Sequence, residues 1–213
     1  RDFFETGITM NSNLSFSNSG SFGNYTIALG RNDQNGIVLN SGMERTNVKF
    51  NGDFNLVPKL TSGISVNYSD LKVNNFGEDT GNASLFRALV ETPPSYNLAG
   101  KPYAKPDDPY YQIFYRASQN NPYWVVNNSF RESRTYRTFG NIYLKYSIYN
   151  SLSVNYRIGL DHYDSKTLSY SELGTAPTGR TNPPSGGNIY LGKGYSNQLN
   201  SNFFVSYIEE IKG

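Results

Sequence analysis

The 213-residue chain contains no cysteine, a single histidine and a single tryptophan. Lack of cysteine excludes a disulfide framework and any thiolate nucleophile or thiolate metal site. With His162 alone, Ser-His-Asp, Cys-His and His-rich metal sites have little to build on. His162 reads as a rim or interface residue. No run of about 18 apolar residues occurs, so no transmembrane helix is expected. No secretory leader is visible either. The net charge is +2 with no basic run, so nucleic acid is not an expected partner. Apolar residues are 37% and charged residues 17% of the chain, too sparse for a thick two-sided core.

What is plentiful is aromatic and small polar residues: 18 Tyr, 13 Phe and 20 Gly, with many Asn and Ser. Their order is informative. In Thr46–Leu56, Val48, Phe50, Phe54 and Leu56 share one parity, and Asn47, Lys49, Asn51, Asp53 and Asn55 share the other. A strand sends successive side chains to opposite faces, so this is one apolar and one strongly polar face. The pattern recurs over Ile8–Phe16, Tyr25–Arg31, Leu60–Tyr68, Thr138–Ile148, Leu152–His162 and Gln198–Ile208. That recurrence predicts an all-β fold. More specifically, it predicts an antiparallel up-and-down transmembrane β-barrel segment of about seven strands, with lipid on one side and a wet lumen on the other.

The connections alternate in length. Short turns are expected near Phe22, Pro58 and Asn150, and longer ones near Asn35, over residues 74–134 and over residues 172–194. Outer-membrane barrels keep short turns at the periplasm and long loops outside, so the two longest are expected to be extracellular. Seven strands cannot easily close a barrel, and open edges are not tolerated in lipid. Residues 1–213 are therefore expected to be part of a larger barrel, with a plug domain and the remaining strands lying elsewhere.

Five stretches, in order, carry a resemblance. They are Asp2-Phe3-Phe4-Glu5-Thr6-Gly7, then Asn13-Leu14-Ser15-Phe16-Ser17, then Asn32-Asp33-Gln34-Asn35-Gly36-Ile37-Val38 with Arg45-Thr46-Asn47. Leu60 to Ser69 and Asn120-Asn121-Pro122-Tyr123-Trp124 complete the set. Together they resemble the SusC/RagA-like (starch-utilisation) branch of TonB-dependent outer-membrane transporters of Bacteroidetes. The resemblance implies a roughly 22-stranded barrel around a plug. It implies import of oligosaccharide or peptide, powered by TonB-ExbB-ExbD, beneath a SusD-like surface lipoprotein, in a bilayer containing lipopolysaccharide. It implies no covalent chemistry, so no catalytic residue, metal or cofactor is expected. Two other readings stay open: a soluble carbohydrate-binding or adhesive β-sandwich, and a passive porin.

Candidate binding residues lie in the longest connection. Tyr110, Tyr111, Tyr115, Asn120, Asn121, Tyr123 and Trp124 form an aromatic and amide cluster suited to sugar or peptide. The competing reading is that they pack this loop, because so long a connection needs its own core. Ser84–Val90 reads as a short helix stopped by Pro93-Pro94. Glu78-Asp79 and Asp107-Asp108 could offer oxygens to Ca²⁺, but no Ca²⁺-loop spacing accompanies them. Gly187–Gly194 is a near miss to a phosphate-binding loop and lacks the hydroxyl residue and the helix. Strand parity places Lys49, Asp53, Arg157 and Asp161 towards a lumen, and Arg31 is expected there as well.

Overall fold

The computed structural model describes residues 3–76, 84–116, 119–175 and 187–208. Seven long strands form one antiparallel sheet: β1 (Ile8–Gly20), β2 (Gly23–Asn35), β3 (Gly42–Val57), β4 (Leu60–Asn75), β7 (Ser129–Tyr149), β8 (Leu152–Ser171) and β9 (Asn188–Tyr207). They pair in the order β1-β2-β3-β4-β7-β8-β9, so every main-sheet neighbour in space is also the next main-sheet strand along the chain. Between β4 and β7 lie helix α1 (Leu85–Glu91), a two-stranded ribbon of β5 (Ala104–Lys105) and β6 (Asp108–Gln112), and helix α2 (Pro122–Asn128).

The two-faced pattern survives pairing because the register aligns it. Phe50 lies opposite Ile27 and Val66, and Ile142 lies opposite Ile64 and Ile158. The apolar side chains thus fall in rows across the sheet, where cross-strand pairs stabilise one another. This face is uncovered among the described residues. Leu14 and Phe203 are each 68% exposed. Such a patch far exceeds what a soluble monomer leaves bare. The opposite face carries Asn13, Asn47, Asn67, Asn141 and Asn200.

The strands run well past the expected segments at the long-connection end. β7, β8 and β9 have 21, 20 and 20 residues, whereas about ten span a bilayer. The extra residues include Arg131-Glu132-Ser133-Arg134 and Asp164-Ser165-Lys166. Both faces are polar there, so alternation vanishes although pairing continues. The connections are correspondingly shorter than 74–134 and 172–194: β4 continues to Asn75, β7 begins at Ser129 and β9 begins at Asn188. Residues 188–194, part of the near phosphate-loop motif, lie in β9 and not in a loop.

At the other end the turns are two residues long. Lys59 takes the left-handed conformation (φ 84°) after Pro58, the pairing of proline and positive φ that a tight turn uses. The turns are staggered. Gly23 pairs with Phe54, while the chain continues past Phe54 to turn at Pro58; Leu60 pairs with Tyr146, while the chain continues past Tyr146 to turn at Asn150.

One polar-face contact ties three strands. Gly63 pairs with Asp53 on one side and Tyr143 on the other. The Tyr143 ring lies across Gly63, so a Cβ there would stand 2.0 Å from Tyr143 Cε1. The Tyr143 hydroxyl then donates to Asp53 Oδ1 at 2.7 Å. Gly63→Ala should therefore cost about 1–3 kcal/mol by overpacking. A double-mutant cycle in detergent unfolding should show that Tyr143→Ala removes most of that cost; full additivity would contradict the contact.

Candidate functional site

Two regions carry the predicted site residues: the connection between β4 and β7, and the polar face of the sheet. The connection folds onto a core to which Phe3 and Val38, from outside it, also contribute. Ser84 caps α1, accepting from Arg87 N at 3.2 Å. Asn121 caps α2, accepting from Tyr123 N at 2.8 Å, with proline at the first helical position. Phe3, Val38, Phe76, Leu85, Val125 and Val126 pack together beneath them, and Asn40 Nδ2 donates to Val126 O at 2.8 Å. α2 was not expected from sequence. The Asn121-Pro122 start was its signal.

The amide and aromatic cluster divides by burial. Trp124 is 0% exposed, and its Nε1 donates to Thr175 Oγ1 at 2.7 Å. Asn120 and Asn121 are buried. Gln112, which sequence reasoning did not single out, joins them: its Nε2 donates to Asn120 Oδ1 at 2.7 Å and to Gly174 O at 2.8 Å, and its Oε1 accepts from Asn121 N at 2.8 Å. Gly174 needs φ 90°, and a Cβ there would meet Tyr110 O at 2.0 Å. These groups therefore hold the loop together. Tyr110 is exposed, and Tyr111 and Tyr123 are half-buried. Lys105 Nζ sits 3.7 Å from the Tyr111 ring, and Tyr123 packs on Phe3 with ring centroids 5.1 Å apart. A hollow of about 430 Å³ lies beside Tyr123, lined by Phe4, Pro93, Tyr96 and Leu98.

Glu91 is the ionic hub of this loop. Its carboxylate accepts from Arg87 Nε at 2.7 Å, Arg116 Nη1 at 2.5 Å and Gln119 Nε2 at 2.6 Å, while Tyr115 Oη donates to its carbonyl at 2.7 Å. The Arg87 hydrogen bond, joined by Gln119 and Arg116, holds the carboxyl below its ordinary range against a smaller desolvation effect. Asp108 Oδ1 accepts from Tyr110 N at 3.1 Å, a turn contact. Glu78 and Asp79 lie outside the described residues.

Lys49, Asp53, Arg157 and Asp161 all fall on the polar face, as their pairings with Asn67, Gly63, Tyr143 and Phe139 require. Arg31 does not. It shares the parity of Ile27 and Leu29, opposite Thr46, and bonds Asp33 and Glu44 on the apolar side, beyond the apolar rows. The expectation for Arg31 ran against its own strand's alternation. On the polar face Arg137 grips Asp161 through Nε and Nη2 at 2.9 and 2.6 Å, and Tyr143 holds Asp53. Phe139 stands between two troughs. One, of about 370 Å³, is bordered by Asn13, Gly30, Asn47, Lys49 and Asn67. The other, of about 390 Å³, is bordered by Asn141, Arg157, Gly159, Asn200 and Asn202. His162 points to the apolar side and bonds Asn197.

No family model matches the chain, and no curated protein matches it. Solved structures do. The RagAB peptide importer in its "open-open" state matches with a TM-score of 0.64 and 17% identity, over 92% of this chain and 22% of that one. The same importer in its "closed-closed" state matches with a TM-score of 0.63 and 16% identity, over 92% and 22%. The chain thus shares the fold of a segment of those chains and spans about a fifth of their length.

Two outcomes follow for the loop. Trp124→Ala should cost about 3–5 kcal/mol of local packing, seen as rapid protease cleavage within residues 84–128 while the sheet stays intact. Because Glu91 is held below its ordinary range, its contribution is present above the unfolded carboxyl pKa and is lost as pH falls through the folded one. The protection factors of α1 amides, corrected for the intrinsic pH dependence of exchange, should fall on acidification, and Glu91→Gln should leave them nearly independent of pH.

Proposed function

We propose that this chain is a barrel segment of a SusC-like, TonB-dependent outer-membrane importer that takes up oligosaccharide or peptide nutrients, and that it performs no covalent chemistry. The observation that carries this reading is a seven-stranded meander with one bare apolar face and one amide-rich face, matched over 92% of its length by a peptide importer. On this reading the apolar face meets lipid and the polar face lines the lumen, with Lys49, Asp53, Arg157 and Asp161 on the lumen wall. The short turns lie in the periplasm. The platform around α1 and α2 lies outside, beside a SusD-like lipoprotein, with Tyr110, Tyr111, Tyr115 and Tyr123 as its contact aromatics and Asn120, Asn121 and Trp124 as their support. A plug domain and TonB-ExbB-ExbD complete the machine from outside this segment.

This segment has no cysteine, so each face can be probed by a single introduced one once any cysteine elsewhere in the protein is replaced. A fluorophore on Val66→Cys in the full-length protein in vesicles should be quenched by doxyl-labelled lipid, and one on Asn67→Cys by iodide. A soluble sandwich would protect Val66 from both quenchers. Uptake of nutrient should stop when TonB is deleted; continued uptake would favour a passive porin.

A further inference from the structure

The polar face has more positive than negative side chains, and its carboxylates are already occupied. Among the described residues Asp53 and Asp161 are the carboxylates on that face, one bonded to Tyr143 and the other to Arg137. Arg45, Lys49, Lys145 and Arg157 share the face, and none has a carboxylate within ion-pair distance among the described residues. The other face differs: Arg31 pairs with Asp33 and Glu44, Lys72 with Glu132, and Arg134 with Asp70. One face neutralises most of its charge internally, and the other leaves cations unanswered.

Two of the unanswered cations border the two troughs. Lys49 borders one and Arg157 the other, with Phe139 between them. Glycine makes the troughs: Gly30 and Gly159 expose backbone where neighbours carry side chains. Asn47 and Asn67 rim the first, and Asn141, Asn200, Asn202 and the Arg137-bound Asp161 the second. A cation, an aromatic edge and amides suit a polar oligomer bearing anions. From strand spacing and rise, Lys49 and Arg157 are roughly 20 Å apart along the wall, about six residues of extended peptide.

We infer that this wall is a cargo-binding surface selecting oligomers that carry carboxylates, with Lys49 and Arg157 each taking one acid group and Phe139 packing against the segment between. The inference rests on the importer reading and names its cargo class. Acidic peptides and uronic-acid oligosaccharides share the required chemistry.

The test uses the full-length protein in outer membranes with two fluorescent probe sets. One set is hexapeptides of Gly and Ser carrying two Glu, two Gln or two Lys, and the other is tetragalacturonate against maltotetraose. Lys49→Gln and Arg157→Gln should each lower the ratio of acidic to uncharged uptake about tenfold, and Lys49→Glu should shift preference towards the Lys peptide. The probe set whose ratio responds identifies the cargo as peptide or sugar. An equal fall for every probe overturns the inference, because the cations would then serve the fold or another protein surface. An unchanged ratio overturns it too. If the wild-type protein imports no probe of any charge, the importer reading itself fails, and the cargo inference falls with it.

Discussion

The structure depends on one constraint: every residue of the long strands must answer to two different surroundings while its backbone bonds to its neighbours. A paired strand satisfies N–H and C=O groups laterally, which leaves side chains alone to meet apolar surroundings on one face and polar ones on the other. The register of Phe50 with Ile27 and Val66 keeps the two chemistries apart. A slip by one residue would exchange them across the whole sheet. The two-residue turns oppose such slips, because a short turn leaves the register little freedom.

The loop platform obeys the opposite logic. It has an enclosed core and a buried amide network, which the sheet lacks. Gln112 is the clearest case. It links β6, the start of α2 and the segment after β8 through three hydrogen bonds. A buried amide so fully engaged gives the loop one arrangement instead of many. The platform therefore brings a defined outer surface to the rim of the sheet, and only part of the aromatic cluster reaches it.

How far this was legible in the sequence follows from the physics of each part. Strands were readable where alternation between apolar and polar is imposed, as in Val48–Leu56 or Val154–Leu160. They were unreadable over Arg131–Arg134 and Asp164–Thr167, where both faces are polar and only hydrogen bonding holds the strand. Helix α1 announced itself through Ser84 and the following prolines. Helix α2 was hidden because Asn121, Tyr123 and Trp124 read as part of an aromatic and amide cluster, and Val125 and Val126 find their burying partners Phe3 and Val38 only in the folded chain. Lys49, Asp53, Arg157 and Asp161 followed parity, and Arg31 was misplaced by neglecting it. The troughs beside Phe139 needed all seven strands of the main sheet in register, which no local pattern contains.

The staggered turns carry a geometric meaning. Each short turn sits a few residues further along the sheet than the one before, from Gly20-Gly23 to Pro58-Lys59 to Asn150-Ser151. A floor that descends by about one to one and a half residues per strand means strands leaning at roughly 35–45° from the axis of any cylinder they wrap. A leaning strand takes up more circumference than an upright one, about 6–7 Å in place of 4.8 Å. The stagger of three small hairpins thus helps set the girth of any barrel this sheet closes into, and a wider one is obtained without an added strand.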